Sequence, residues 1–150
     1  HFIRDLLNYL KKKEKYVPDI VVRLLATCPF QKTTDIDKAI TLVLKNKYQS
    51  SVVISKAKQH PGKALKIVGK NNKFVTTYFG NNPLKVGSKL NRQEFPDAYF
   101  RSNVLVCKKK VIEKYNSLSS NKTGFVKIPY QIDIDCLEDF KYAEYIIKKI

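Results

Sequence analysis

Asp19-Ile20-Val21-Val22-Arg23-Leu24-Leu25, the segment Thr34 to Val43, and Ser51-Val52-Val53-Ile54-Ser55 together decide the fold. The first is a nearly continuous apolar run, the pattern of a strand buried on both faces. In the second, Thr34 and Asp37 are spaced as a capping box, and Ile36, Ala39, Ile40 and Val43 follow on one face, so a helix is expected from about Asp35 to Lys45. The third is another apolar strand. Strand, helix, strand in this order predicts a βαβ unit, a parallel sheet and a right-handed crossover. The loop Ala26-Thr27-Cys28-Pro29-Phe30-Gln31 then falls at the carboxyl end of a strand, where open α/β sheets bind their ligands.

Working outward, Phe2, Ile3, Leu6, Leu7 and Leu10 have helical spacing, and Pro18 ends that pattern. Ala64 to Val68 and Phe74 to Tyr78 flank Gly69-Lys70-Asn71-Asn72-Lys73, which reads as a hairpin. Residues 80–97 form a long irregular excursion of the kind that is usually functional or interfacial. Asn103 to Cys107 is a short apolar strand, and a helix around Val111, Ile112 and Tyr115 follows it. Phe125 to Tyr130 is a further strand. A last helix begins near Cys136, with Asp135 and Glu138 as its capping pair.

The 150 residues are 43% hydrophobic, enough for one domain with a core. No apolar run reaches the roughly 18–20 residues that span a bilayer. The net charge of +16 favours polyanionic and acidic partners. Cys28, Cys107 and Cys136 form no C-x-x-C pair and lie far from both histidines, so zinc and a disulfide framework are not expected. Reduced thiols and the lack of a secretory leader pattern point to the cytoplasm. The chain has no methionine and opens at His1 inside a helical pattern, so either a piece of a longer polypeptide or a trimmed one is expected.

The sharpest local pattern is Ile132-Asp133-Ile134-Asp135. In extended chain, i and i+2 share a side, so two carboxylates face one way and two isoleucines the other. A hard cation such as Mg²⁺ relieves their repulsion. In the alternative, Asp135 only caps the last helix and Asp133 is only solvated. Thr27 offers a hydroxyl. Cys28 has no identifiable base and reads as a packed thiol. Arg92, in the long loop, can fork onto a carboxylate or phosphate.

Leu25 to Gln31, Asp35 to Ile40, Ser51 to Ser55, His60 to Lys63, Arg92 to Pro96, Ser102 to Val106 and Ile132 to Glu144, in this order, resemble the motifs of the CMP-N-acylneuraminate synthetases (acylneuraminate cytidylyltransferases). The last motif, with Asp133, Asp135, Asp139, Ala143 and Glu144 in place, is the most specific. The resemblance implies a Rossmann-like nucleotide-diphospho-sugar transferase fold, an α/β design with a mostly parallel sheet. Residues 60–99 would protrude as a β-rich arm that makes a homodimer. Residues 1–150 would be a partial cytidylyltransferase domain, and the family's opening strand and phosphate loop would precede them, leaving this piece inactive alone.

The implied reaction joins CTP to an acidic nine-carbon sugar and releases pyrophosphate, with Mg²⁺ held by Asp133 and Asp135. Arg92, beside Gln93, would hold the sugar's carboxylate. Lys63 would line the sugar pocket, and Thr27, Ser102 and Asn103 would bind substrate. Departures from the family pattern are Leu25 for a sugar-binding glutamine, Cys28 for serine, Gln31 for arginine, Ser102-Asn103 for Asn-Gly, and Val106 for tyrosine. Losing the glutamine disfavours N-acetylneuraminate and favours a related bacterial nonulosonic acid. The residues alone also allow a basic α/β domain that grips nucleic acid, or a relative that kept the fold and lost activity. Nucleic acid ranks behind the enzyme, because no RNP-like strand, GXXG loop or helix-turn-helix pattern is present.

Overall fold

The computed structural model describes residues 2–71, 73–79 and 96–149. It divides into two compact units, His1–Ser55 with Arg101–Ile150, and Lys56–Phe100.

The first unit is built on a four-stranded sheet in the order β1-β5-β2-β6, with β1 Ile20–Arg23, β2 Ser50–Lys56, β5 Tyr99–Lys108 and β6 Thr123–Ile128. β2 and β6 pair in parallel, from Ser50 opposite Thr123 to Ser55 opposite Ile128. β1 and β5 pair antiparallel, from Ile20 opposite Lys108 to Arg23 opposite Leu105. The Lys108 N–H donates to the Gln49 carbonyl at 3.0 Å, so β2 begins where β5 ends. Three strands thus leave one end of the sheet and β5 returns to it. The expected strand-helix-strand order is present, but β5 separates β1 from β2.

Helices cover both faces. On one face, Leu7 of α1 (Phe2–Lys13) and Val111 and Ile112 of α3 (Lys109–Tyr115) pack with Leu105 and Cys107. On the other, Ala39 and Val43 of α2 (Thr33–Leu44) pack with Val53, Val104, Val106 and Ile128. Consecutive residues of a strand point to opposite faces, so Val104 to Cys107 are all buried because both faces are covered. Burial pushes the Cys107 thiol up to about 11.

The continuous apolar run at the first strand misled in one respect. β1 spans only four residues and pairs on one side among the described residues. Val22 is 37% exposed, and Leu24 and Leu25 more so. An edge strand cannot bury its outer flank unless another element covers it. The capping box expected at Thr34 and Asp37 does not form. α2 starts at Thr33, Lys32 occupies the N-cap position without a side-chain bond, and Asp35 is buried.

In the second unit, β3 (Leu65–Val68) and β4 (Phe74–Thr77) form the expected antiparallel hairpin, from Leu65 opposite Thr77 to Val68 opposite Phe74. His60 Nδ1 accepts from the Gly62 N–H at 3.0 Å, so its other nitrogen carries the proton and donates to the Pro96 carbonyl at 3.0 Å. The Ala57 N–H to Ala98 carbonyl bond and the Lys56–Asp97 ion pair also tie the two ends of this unit together. Leu65, Ile67, Phe74 and Val75 are exposed. A two-stranded hairpin has too few layers to bury both its faces.

Candidate functional site

Three segments converge at the end of the sheet where β1 and β6 finish. They are the loop after β1, the first half of β5, and the extended segment between β6 and α4 (Leu137–Ile147). The Ile134 N–H donates to the Thr27 carbonyl at 2.8 Å, and the Gln131 side chain donates to the Phe30 carbonyl at 3.0 Å. These bonds lay the Asp-bearing segment along the loop.

Asn103 is the hub. Its Nδ2 lies 3.0 Å from Thr27 Oγ1, 3.1 Å from Cys28 Sγ and 2.9 Å from Asp133 Oδ1. Asn103 is buried, so the amide is shielded from water and its bonds fix the geometry of the cluster. Ser102, on the opposite face of β5, donates to Gln31 Oε1 at 3.2 Å. The structure therefore brings Thr27, Ser102, Asn103 and Asp133 to one end of the sheet. Cys28 is buried against the hub as a packed thiol.

From Ile132 to Asp135, burial alternates. Ile132 is buried and Ile134 half-buried, whereas Asp133 and Asp135 are exposed. Both carboxylates therefore lie on the solvent side. The expectation that Asp135 and Glu138 cap the last helix is corrected. Cys136 is the N-cap residue and Asp139 completes the capping box, accepting from the Cys136 N–H at 3.2 Å and the Asp135 N–H at 3.1 Å. The Cys136 thiol, then these N–H groups, hold the Asp139 carboxyl below its ordinary range. The Asp135 carboxylate is consequently released from capping, and it has no recorded partner among the described residues.

Lys63 belongs to the other unit, exposed on a 3₁₀ turn at Pro61–Lys63. Arg92 and Gln93 lie outside the described residues. Arg101 was not singled out in the sequence. It sits two residues before Asn103 on β5, so it shares that face, and it is exposed. A charge two positions before a strand asparagine is the signal that could have found it. Gln31 Nε2 and Gln131 Oε1 are buried without a protein partner. Two polar groups at this end are thus left for water or a ligand.

No group of three or more histidine, cysteine or acidic side chains that could hold a metal is found among the described residues. Two carboxylates suit Mg²⁺ all the same, since that ion often takes one or two carboxylates and completes its shell with water and substrate phosphates. Asp133 has one oxygen committed to Asn103 and one remaining, and Asp135 has both.

No protein-family model and no curated protein matches the chain. Among solved structures, it is similar to the CMP:2-keto-3-deoxy-manno-octonic acid synthetase complexed with CTP. The two are 10% identical, with a TM-score of 0.60, over 97% of this chain and 67% of that one. The chain therefore has the α/β fold of that synthetase. No helix among the described residues is long and apolar enough to cross a membrane.

Proposed function

We propose that this chain is part of a cytidylyltransferase that transfers CMP from CTP to an acidic sugar and releases pyrophosphate. The observation that carries the reading is the cluster in which buried Asn103 holds Asp133 against Thr27 while Asp135 stays free beside it. The motif order and the fold of the octonic acid synthetase support the same reading.

In the reaction, the sugar's anomeric hydroxyl attacks the α-phosphorus of CTP, and the bond to the β-phosphate breaks. Mg²⁺, when bound, would neutralise charge on the phosphates and on the departing pyrophosphate. Asp133 and Asp135 would hold it. Asn103 keeps one Asp133 oxygen turned inward, so the other faces the substrate side. Arg92 would receive the sugar's carboxylate with Gln93 beside it, and Lys63 would line the sugar pocket. We assign the sugar to the nonulosonic acids related to sialic acid, with Leu25 disfavouring N-acetylneuraminate. The exposed apolar hairpin of the second unit would pair with a second copy as a homodimer. Three free cysteines suit a reducing cytoplasm.

The test follows pyrophosphate release by the full-length protein from CTP and a panel of nonulosonic and octonic acids. Asp135→Asn should lower turnover at least a hundredfold with an unchanged melting temperature, because capping rests on Cys136 and Asp139. Undiminished turnover in that variant removes the metal role. An absence of release with every sugar acid removes the reaction.

A further inference from the structure

We propose that the end of the sheet opposite the candidate site binds single-stranded nucleic acid, with phosphates seated in two adjoining cavities and a base stacked on Tyr115. The first cavity, about 450 Å³, opens between the start of β1 and the end of β5, with Ile20 and Val43 on its apolar side and Lys108 to Lys110 on its polar side. The second, about 630 Å³, lies beyond the shared wall of Lys110 and Glu113 and is bordered by Gln49, Lys114 and Tyr115. Each falls within the size range of small-ligand pockets.

The charges there are unequal. Glu113 pairs with Lys109 at 2.6 Å, and Asn46 accepts from Lys108. Asp19 is the other acidic group in the first cavity. Lys110 and Lys114 have no recorded acidic partner among the described residues. Lys45 and Lys47 leave α2 at this end, and Lys11 to Lys13 close α1 a few residues before Val17 enters the cavity wall. An unbalanced concentration of lysines attracts a polyanion.

Aromatic rings are interleaved with these lysines. Lys114 Nζ lies 5.0 Å from the Tyr115 ring centre, and Lys47 Nζ 5.7 Å from that of Tyr48. Tyr48 is packed so closely on Gly124 that a side chain there would meet its ring at 2.5 Å. Tyr115 is 38% exposed, which leaves it as the stacking platform. The concave walls favour a flexible strand over a membrane. A strand can lower its phosphates to cavity lysines, whereas a flat headgroup layer meets only the rim.

The experiment titrates the full-length protein into a short fluorescein-labelled oligouridylate across a salt series. The triple variant Lys47→Glu, Lys110→Glu, Lys114→Glu should weaken binding at least tenfold. It should also flatten the salt slope by about 2, since each single-strand phosphate contact contributes about 0.7. Reversing Lys66, Lys70 and Lys73 in the other unit changes net charge equally and should cost less than threefold. Tyr115→Ala should lose about fivefold or more, and Tyr115→Phe should keep the affinity. Equal losses for the two triple variants overturn the proposal, as does failure to bind at low salt. Vesicles of phosphatidylcholine and phosphatidylserine form the competing arm. Vesicle binding abolished by the first triple variant, with oligouridylate binding intact, would assign the surface to a membrane instead.

Discussion

At one end of the four-stranded sheet, a buried asparagine gathers a hydroxyl, a thiol and a carboxylate within about 3 Å. At the other, lysines line two open cavities, where Glu113 is the ion-pair partner of Lys109, and Lys110 and Lys114 have no acidic partner among the described residues. The contrast separates two ways of handling charge. Where polar groups are buried, each bond is costly to lose because nothing replaces it. Where charges are solvated and screened, no single one matters much and the effect comes from their number.

Replacing Asn103 by aspartate is the severest way to test that contrast. It removes the donor to Asp133 and sets a second carboxylate against it. The cost should be about 2–4 kcal/mol in urea unfolding. Lys110→Glu at the opposite end should stay within about 0.5 kcal/mol. Comparable losses at the two positions would erase the distinction.

Packing supplies the next test, since Gly124 on β6 is the tight point of the lysine end. An added Cβ would meet Tyr48 Cδ2 at 2.5 Å, and the ring must move. Gly124→Ala should cost about 1–3 kcal/mol in the same unfolding measurement. The lysine end would then be sensitive through its packing and not through its charges. A neutral outcome would mean that Tyr48 swings aside freely.

The smallest effect concerns Asp139. Its carboxyl is depressed, so its stabilising contribution is present above the ordinary aspartate value of about 3.9 and is lost as pH falls through the folded value. Helical circular dichroism should decline slightly below about pH 4, and Asp139→Asn should remove that decline. A decline centred near pH 6 would point to a different group.

Much of this arrangement was legible in the residues, because periodicity reports on local geometry. The alternation of Ile132, Asp133, Ile134 and Asp135 announced two outward carboxylates, and the hairpin around Gly69 was marked by its polar turn. Other features were hidden because they depend on distant chain. Nothing near Asn103 states that Thr27 and Asp133 will meet it. The sequence points to a cap one residue before Cys136 because aspartate caps more often than cysteine, and the thiol succeeds only because Asp139 answers it. β1 read as buried on both faces because its composition is apolar, whereas exposure is set by what lies beside it.

The insertion of β5 between β1 and β2 has a consequence in time. As the chain leaves the ribosome, β1, α2 and β2 are complete about fifty residues before Lys108 is made. At roughly 5–20 residues per second, those strands wait several seconds without the neighbour that joins them. The Lys56–Phe100 unit emerges in that interval, and its hairpin closes through short-range contacts. The first unit, whose pairings reach from Ile20 to Lys108, closes its sheet only after Lys108 has been made.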